Sequence, residues 1–501
     1  MSNLSDLLPA GGGGKNVDFV ASGTLPNGKP VILNSDGTVT VVAESSNTIP
    51  ESIPAGSEAV FNSGGTTYAS SVSFDPNNSG KFVVAYEDGG NLLYGTAIVG
   101  TVSGTSISFG SEYVFNSGES SFISVAFDPN TAGKFVVVYK DDASGNYGRA
   151  VVGTVSGTSI SYGSEYVFNS GTTYYNSVAF DPNTAGKFVV TYMNASSSNY
   201  GTAVVGTVSG TSISFSIKYV FNSASTSLTT VSFDPNTAGK FVVAYKDAGN
   251  SNYGTAIVGT VSGTSISYGS EYVFNSGSSN YNSVAFDPNT AGKFVVAYQD
   301  GGNLGYGAAI VGTVSGTSIS YGSEYLFNSG ESKYSAVAFN PNSSGKFIVA
   351  YQDVDNSGYG TAVVGTVSGA SISFGSEYVF NSAGARDNSV SFDPNNSGKF
   401  VVAYRDDGNS SYGTAIVGQM GYTTTTTNLT ATNFLGITDA AITSGASGSV
   451  TIKGGVPTNL TSLTIGSDYY VQEDGTLSTV SAAPAVEAGK AISATSLILK
   501  G

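Results

Sequence analysis

Phe122, Tyr175, Tyr281 and Tyr334 recur at multiples of 53 residues; Leu228 fills the gap in the series and Tyr68 stands close to the same place at its start. Acidic side chains follow in the same stretches, among them Asp300, Asp353 and Asp407. Two of the chain's three arginines, Arg386 and Arg405, fall at its far end. Flat aromatic faces edged by carboxylates and guanidinium groups suit a sugar ring, whose C–H face stacks on the aromatic plane while its hydroxyls find charged partners. The competing reading is that these aromatics plug a channel or pack between repeats. Covalent and metal chemistry is much more restricted. With no His and no Cys, the chain has no imidazole base, no thiolate nucleophile, no disulfide and no Cys- or His-ligated metal. Paired acids such as Asp141-Asp142 and Asp406-Asp407 lie in loop-like segments where they read as solvated charge, so no enzyme and no cofactor is expected.

The elements that position these residues come from a repeat. Gly-Lys-Phe begins at Gly80, Gly133, Gly186, Gly239, Gly292, Gly345 and Gly398, a strict period of 53 residues. A fixed period in this range marks a repeat architecture. Abundant Val, Thr, Tyr and Phe with 66 Gly make the unit β-rich. In the fifth copy, strand a is expected at Ser283–Phe286, b at Lys293–Tyr298, c at Tyr306–Thr313 and d at Ser318–Phe327, with a break near Gly322. Asp287-Pro288-Asn289 and Ser315-Gly316 supply the turns. The fold class is therefore all-β: a seven-bladed β-propeller over 56–420. The outer-strand motif Gly-Ser-Glu-Tyr-Val-Phe follows the earlier units but not the seventh, and a copy precedes the first at Gly56–Phe61. That N-terminal strand is expected to complete the last blade and close the ring.

Within a blade of this topology the a–b and c–d connections share one face and the b–c and d–a connections the other. Asp-Pro-Asn and Gly-Thr-Val-Ser-Gly hold the first face nearly constant, while the second diverges from copy to copy, as a recognition face would. The Asp of Asp-Pro-Asn reads as an Asx-type turn rather than a Ca²⁺ ligand, one carboxylate being too few. Outside the ring, 1–14 reads as a flexible tail, 15–48 as a β-module, 421–428 as a Thr-rich linker and 429–501 as a second β-module. The two modules carry related Asp-Gly hairpins (Asp36-Gly37, Asp474-Gly475) and are expected to pack together.

A formal charge of −16 argues against nucleic acid, no stretch reads as a membrane insertion, and the N-terminus does not read as an export signal. The flanks, from Lys15 to Val31 and from Asn433 to Ser496, resemble those of marine bacteriophage virion structural and tail-fibre-like proteins. The resemblance spans roughly a fifth of the chain. It implies assembly in the host cytoplasm, a place in the virion and attachment to other virion proteins through 15–48 and 429–501. With the aromatic series above, the expected role is display of the propeller for host-surface glycan adhesion; the ring itself does not require a homo-oligomer, and the flanking modules could impose one. The resemblance brings no catalytic residues. The alternatives are a capsid or tail decoration protein without a specific ligand, a bacterial surface adhesin, and a propeller glycosidase.

Overall fold

A computed structural model describes residues 15–500; the stretch expected to be a tail, 1–14, lies outside the described residues, as does Gly501. Two compact units are present, Pro50–Tyr422 and a second built from 15–49 with 423–500.

The larger unit is the propeller. We letter the strands of each blade a to d from the centre outward. In blade five, strand a spans 279–286, b Lys293–Asp300 and c Tyr306–Ser315, all antiparallel. Strand b is apolar throughout its middle because it is covered by neighbouring blades on both sides: Phe294, Val295, Val296, Ala297 and Tyr298 are fully buried. Strand c holds glycines where aromatic rings cross it. A Cβ on Gly312 would lie 2.1 Å from Cζ of Phe294, so only glycine fits.

The outer strand departs from the expectation of a d–a loop. Ser318–Phe339 is one continuous extended run. Its first part pairs with strand c of blade five up to Tyr306↔Glu331; its last part pairs with strand b of blade six from Ser332↔Asp353. The chain thus passes between blades without leaving the extended state. The break expected near Gly322 is a bulge, where the register shifts between Ile310 and Gly312.

Ring closure is carried by the N-terminal segment. Ala59–Asn62 pairs with strand c of blade seven, and Ser52 exchanges backbone hydrogen bonds of 2.8 Å with Gln419. Side chains repeat the internal pattern. Tyr245 and Tyr298 on strand b donate to Glu271 and Glu324 of their own outer strands, and Tyr404 donates to Glu58 at 2.7 Å. Phe61 is buried against Tyr86 of blade one, ring centroids 5.1 Å apart.

The constant face is constant because it latches blade to blade. Asp75 Oδ1 accepts from the Asn77 backbone, the expected Asx turn, while its Oδ2 accepts from Gly133 N–H of the next blade. Asn77 donates to the Pro129 carbonyl, and the series runs round to Asn395, which donates to Pro76. Lys134 reaches the Gly210 carbonyl one blade on, and Lys399 closes the set on Gly104. The latches recur on the same residue types from copy to copy, Asn340 standing for the Asp in blade six, so turn chemistry and inter-blade bonding together fix this face.

Blade three breaks one rule. Lys218 stands where the other blades carry Glu, and it donates to Asn169 instead. The Tyr192 hydroxyl is buried without a partner among the described residues, and the outer strand is interrupted between Phe215 and Tyr219. Lys218→Glu is expected to raise the unfolding free energy by about 1 kcal/mol by giving Tyr192 an acceptor; an unchanged or lower denaturation midpoint contradicts this.

In the smaller unit the terminal pieces interleave. A five-stranded sheet runs in the order Asn16–Val20, Ser447–Ile452, Phe434–Thr438, Pro30–Leu33, Val39–Val41. A four-stranded sheet lies in 468–499. Val42 and Ile32 share one core with Leu429, Val471 and Leu497. The stretch expected to be a linker, 421–428, instead contains the strand Tyr422–Thr427, which pairs with Glu44–Ile49. A run of β-branched Thr favours the extended state once a partner strand is at hand.

Candidate functional site

Strand a of every blade carries a bulge near its start. The register slips between Asn280 and Ser283 in blade five and at the matching place in the others. The bulged residue is left-handed each time: Ala69, Phe122, Tyr175, Leu228, Tyr281, Tyr334 and Asp387 all have φ between 48° and 55°. A bulky side chain in that region costs roughly 1–2 kcal/mol. Seven such positions ring the open end of the channel, on the face where the repeats diverge.

Blade one differs from expectation by one position. Its extra residue sits before strand a, so Ala69 occupies the ring. Tyr68 stands one place earlier and lies under the Arg405 guanidinium, 5.4 Å from the ring centroid.

The aromatics divide into two groups. Phe122 and Tyr175 pack edge-on, centroids 5.2 Å apart, and Tyr174 joins them. Lys140, only 7% exposed, sits over Tyr174 at 4.8 Å and pairs with Asp142 at 2.5 Å. That side of the mouth is filled by its own side chains. On the other side Tyr281 and Tyr334 touch, centroids 4.9 Å apart. Both line an open pocket of about 570 Å³ together with Lys333, Gln352, Arg386 and Asp407. This volume falls within the range of small-molecule sites.

Of the expected charged residues, Arg386 and Asp407 line this pocket and Arg405 is tied to it through Asp407. Asp407 is gripped by two arginines, Arg386 Nε at 2.6 Å and Arg405 Nε at 3.1 Å. The arginines face each other across the a–b ladder, so the shared carboxylate offsets their repulsion. Asp387 lies 4.0 Å from Arg405, and burial raises its carboxyl above the ordinary range despite both arginines.

Asp300 and Asp353 do not belong to the site. Each is the last residue of strand b and is buried. Asp300 Oδ1 accepts from Asn275 at 3.0 Å and from the Gly302 backbone at 2.9 Å, and Asp353 accepts from Asn328. Their counterpart in blade seven is Asp406, not Asp407. Strand b of blade seven ends at Asp406 and Asp407 is the first residue of the turn beyond it, so one position separates a turn-capping carboxylate from one at the pocket. Lys333, Gln352 and Asp387 were not anticipated. A signal exists: the position before the capping Asp reads Glu87, Lys140, Met193, Lys246, Gln299, Gln352 and Arg405, the most varied place in an otherwise constant strand.

Glu87 faces Tyr68 across the ladder. Burial first, then the charges of Asp142, Glu119 and Asp387, push its carboxyl up to about 7, against an ordinary 4.5. The folded state therefore holds a proton that the unfolded chain releases earlier. This stability is complete below about pH 4.5 and is lost as pH rises toward 7. Glu87→Gln should raise stability at pH 8 by about 1 kcal/mol, allowing for solvent screening, and change nothing at pH 4. Equal effects at both pH values would contradict it.

No family model matches the chain, and no curated protein matches it in sequence. Among solved structures, the chain is similar to Sqt1 from Chaetomium thermophilum at 11% identity and a TM-score of 0.43, covering 74% of this chain and 100% of that one. Blade count, closure and the site stand on the geometry above.

Proposed function

We propose that this is a non-enzymatic structural protein of a bacteriophage particle, whose ring binds a glycan of the host surface and whose smaller unit docks to other virion proteins. One observation carries the adhesion reading. The divergent end of the ring holds a pocket walled by two tyrosine faces and rimmed by Arg386, Lys333, Gln352 and Asp407, whereas the opposite side of the mouth is packed shut. Apolar planes beside fixed donors and acceptors match a sugar's two kinds of surface. The flanking segments, with their resemblance to virion proteins, support the placement on a particle. The test is attachment of fluorescently labelled full-length protein to candidate host cells before and after enzymatic stripping of surface glycans. Saturable binding lost on stripping is expected; binding indifferent to stripping, or none at micromolar protein, overturns the adhesion reading.

A further inference from the structure

We infer that the open end of the central channel is an end-on subsite for the terminal unit of a neutral saccharide chain, a proposal that rests on the adhesion reading above. The residue after each left-handed position lies in the bore. Ser70, Asn282, Ser335 and Asn388 line a cavity there of about 240 Å³, which shares Tyr281 and Tyr334 with the larger pocket.

In several blades these side chains are already committed. Ser70 donates to the Asp387 carbonyl at 2.8 Å and Thr229 to the Tyr175 carbonyl at 2.6 Å. On the pocket side they are committed only in part: Asn282 Oδ1 accepts from the Ser279 hydroxyl at 2.7 Å and Asn388 Nδ2 donates to the Tyr334 carbonyl at 3.4 Å. Ser335, 7% exposed, has no partner for Oγ among the described residues; the same holds for Nδ2 of Asn282 and Oδ1 of Asn388. Asn176 is likewise unpartnered, across the bore. Buried polar atoms without partners carry a desolvation penalty that a ligand or water relieves.

The mixture of groups decides the ligand class. A cation would call for oxygen acceptors alone and a carboxylate or phosphate for donors alone. Here a donor, an acceptor and a hydroxyl that serves as either stand beside two tyrosine rings and the Asp387 carboxylate. Hydroxyls of an uncharged sugar ring use all of them. A terminal unit would enter the bore past Tyr281 and Tyr334 while the following units lie in the larger pocket.

The experiment is calorimetric titration of the full-length protein with galactose-, glucose- and mannose-terminated neutral trisaccharides, each free and with its non-reducing terminal residue blocked as a 4,6-O-benzylidene acetal. At least one free trisaccharide should bind, and blocking should weaken it tenfold or more. Ser335→Ala and Asn388→Ala should each weaken it about fivefold, and Ser335→Ala should leave the unfolding midpoint unlowered or raise it, since Oγ bonds nothing among the described residues and its burial carries a desolvation penalty. Equal affinity for blocked and free sugar, or a Ser335→Ala/Asn388→Ala double variant that binds normally while Tyr281→Ala does not, would leave only ordered water in the bore; the adhesion reading would survive. If no trisaccharide binds but glycan-dependent cell attachment persists, the neutral-terminus inference falls alone. If attachment is absent too, both fall.

Discussion

Phe61→Ala lowers the unfolding free energy of the propeller by about 3–5 kcal/mol, the cost of deleting a large buried ring, although residue 61 lies outside all seven Gly-Lys-Phe units. The expectation rests on what Phe61 does. It fills the place that Phe115, Phe168 and their counterparts fill in other blades, at the seam where blade seven meets blade one, against Tyr86 at 5.1 Å and Phe109 at 5.8 Å. Every other seam is covalently continuous through the d–a run. Here the outer strand of blade seven is a short piece from the N-terminus, so closure rests on that strand's pairing and packing together with the non-covalent latches to blade one. Glu58→Ala adds a second, independent loss of about 1–3 kcal/mol by leaving the Tyr404 hydroxyl without its acceptor. Val60, which is exposed between them, is the control, and its replacement by Ala should shift stability by less than about 0.5 kcal/mol. Chemical denaturation of the three variants checks the account; a Phe61→Ala effect no larger than that of Val60→Ala would mean that the N-terminal strand does not hold the ring shut.

Tyr281→Ala combined with Tyr334→Ala removes glycan attachment, weakening it about 30-fold or more, which corresponds to about 2 kcal/mol. The fold tolerates the change. Blade one already holds alanine at the matching left-handed position, Ala69 with φ 48°, and Ala relaxes none of the latches on the opposite face. Phe122→Ala with Leu228→Ala is the informative comparison, because those residues ring the same mouth but lie outside the pocket. Attachment should persist in that pair. Loss in both pairs would indicate a general effect on the ring, and loss in neither would remove the tyrosines from the site.

How much of this was legible in the residues follows from the physics of each feature. The blade count and closure were open to reading because both rest on long-period identity: the Gly-Lys-Phe series, and a motif missing after blade seven but present at Gly56. The contrast between faces was legible for the same reason, and its cause, a ring of Asn-to-Pro-carbonyl and Asp-to-Gly bonds, emerges only when blades are set side by side. The site was half legible. Tyr281, Tyr334, Arg386, Arg405 and Asp407 come together, but Asp300 and Asp353 turn inward, because the end of strand b and the course of the turn beyond it decide which carboxylate faces the pocket. Neither is visible without knowing the register. Tyr68 stands one place from the ring because the extra residue of the first unit falls before the bulge, leaving Ala69 at the left-handed position. The Thr-rich segment reads as a linker by composition and is a strand because Glu44–Ile49 lies beside it, a partner nearly four hundred residues away in sequence.

The most direct test of the central claim is hydrogen–deuterium exchange of the full-length protein with and without polysaccharide purified from the host surface. Protection confined to 280–283, 333–336, 352–358, 384–388 and 405–408, with the Asp-Pro-Asn turns unchanged, is the predicted result. Protection on the constant face, or in the smaller unit alone, would contradict it and place recognition elsewhere on the chain.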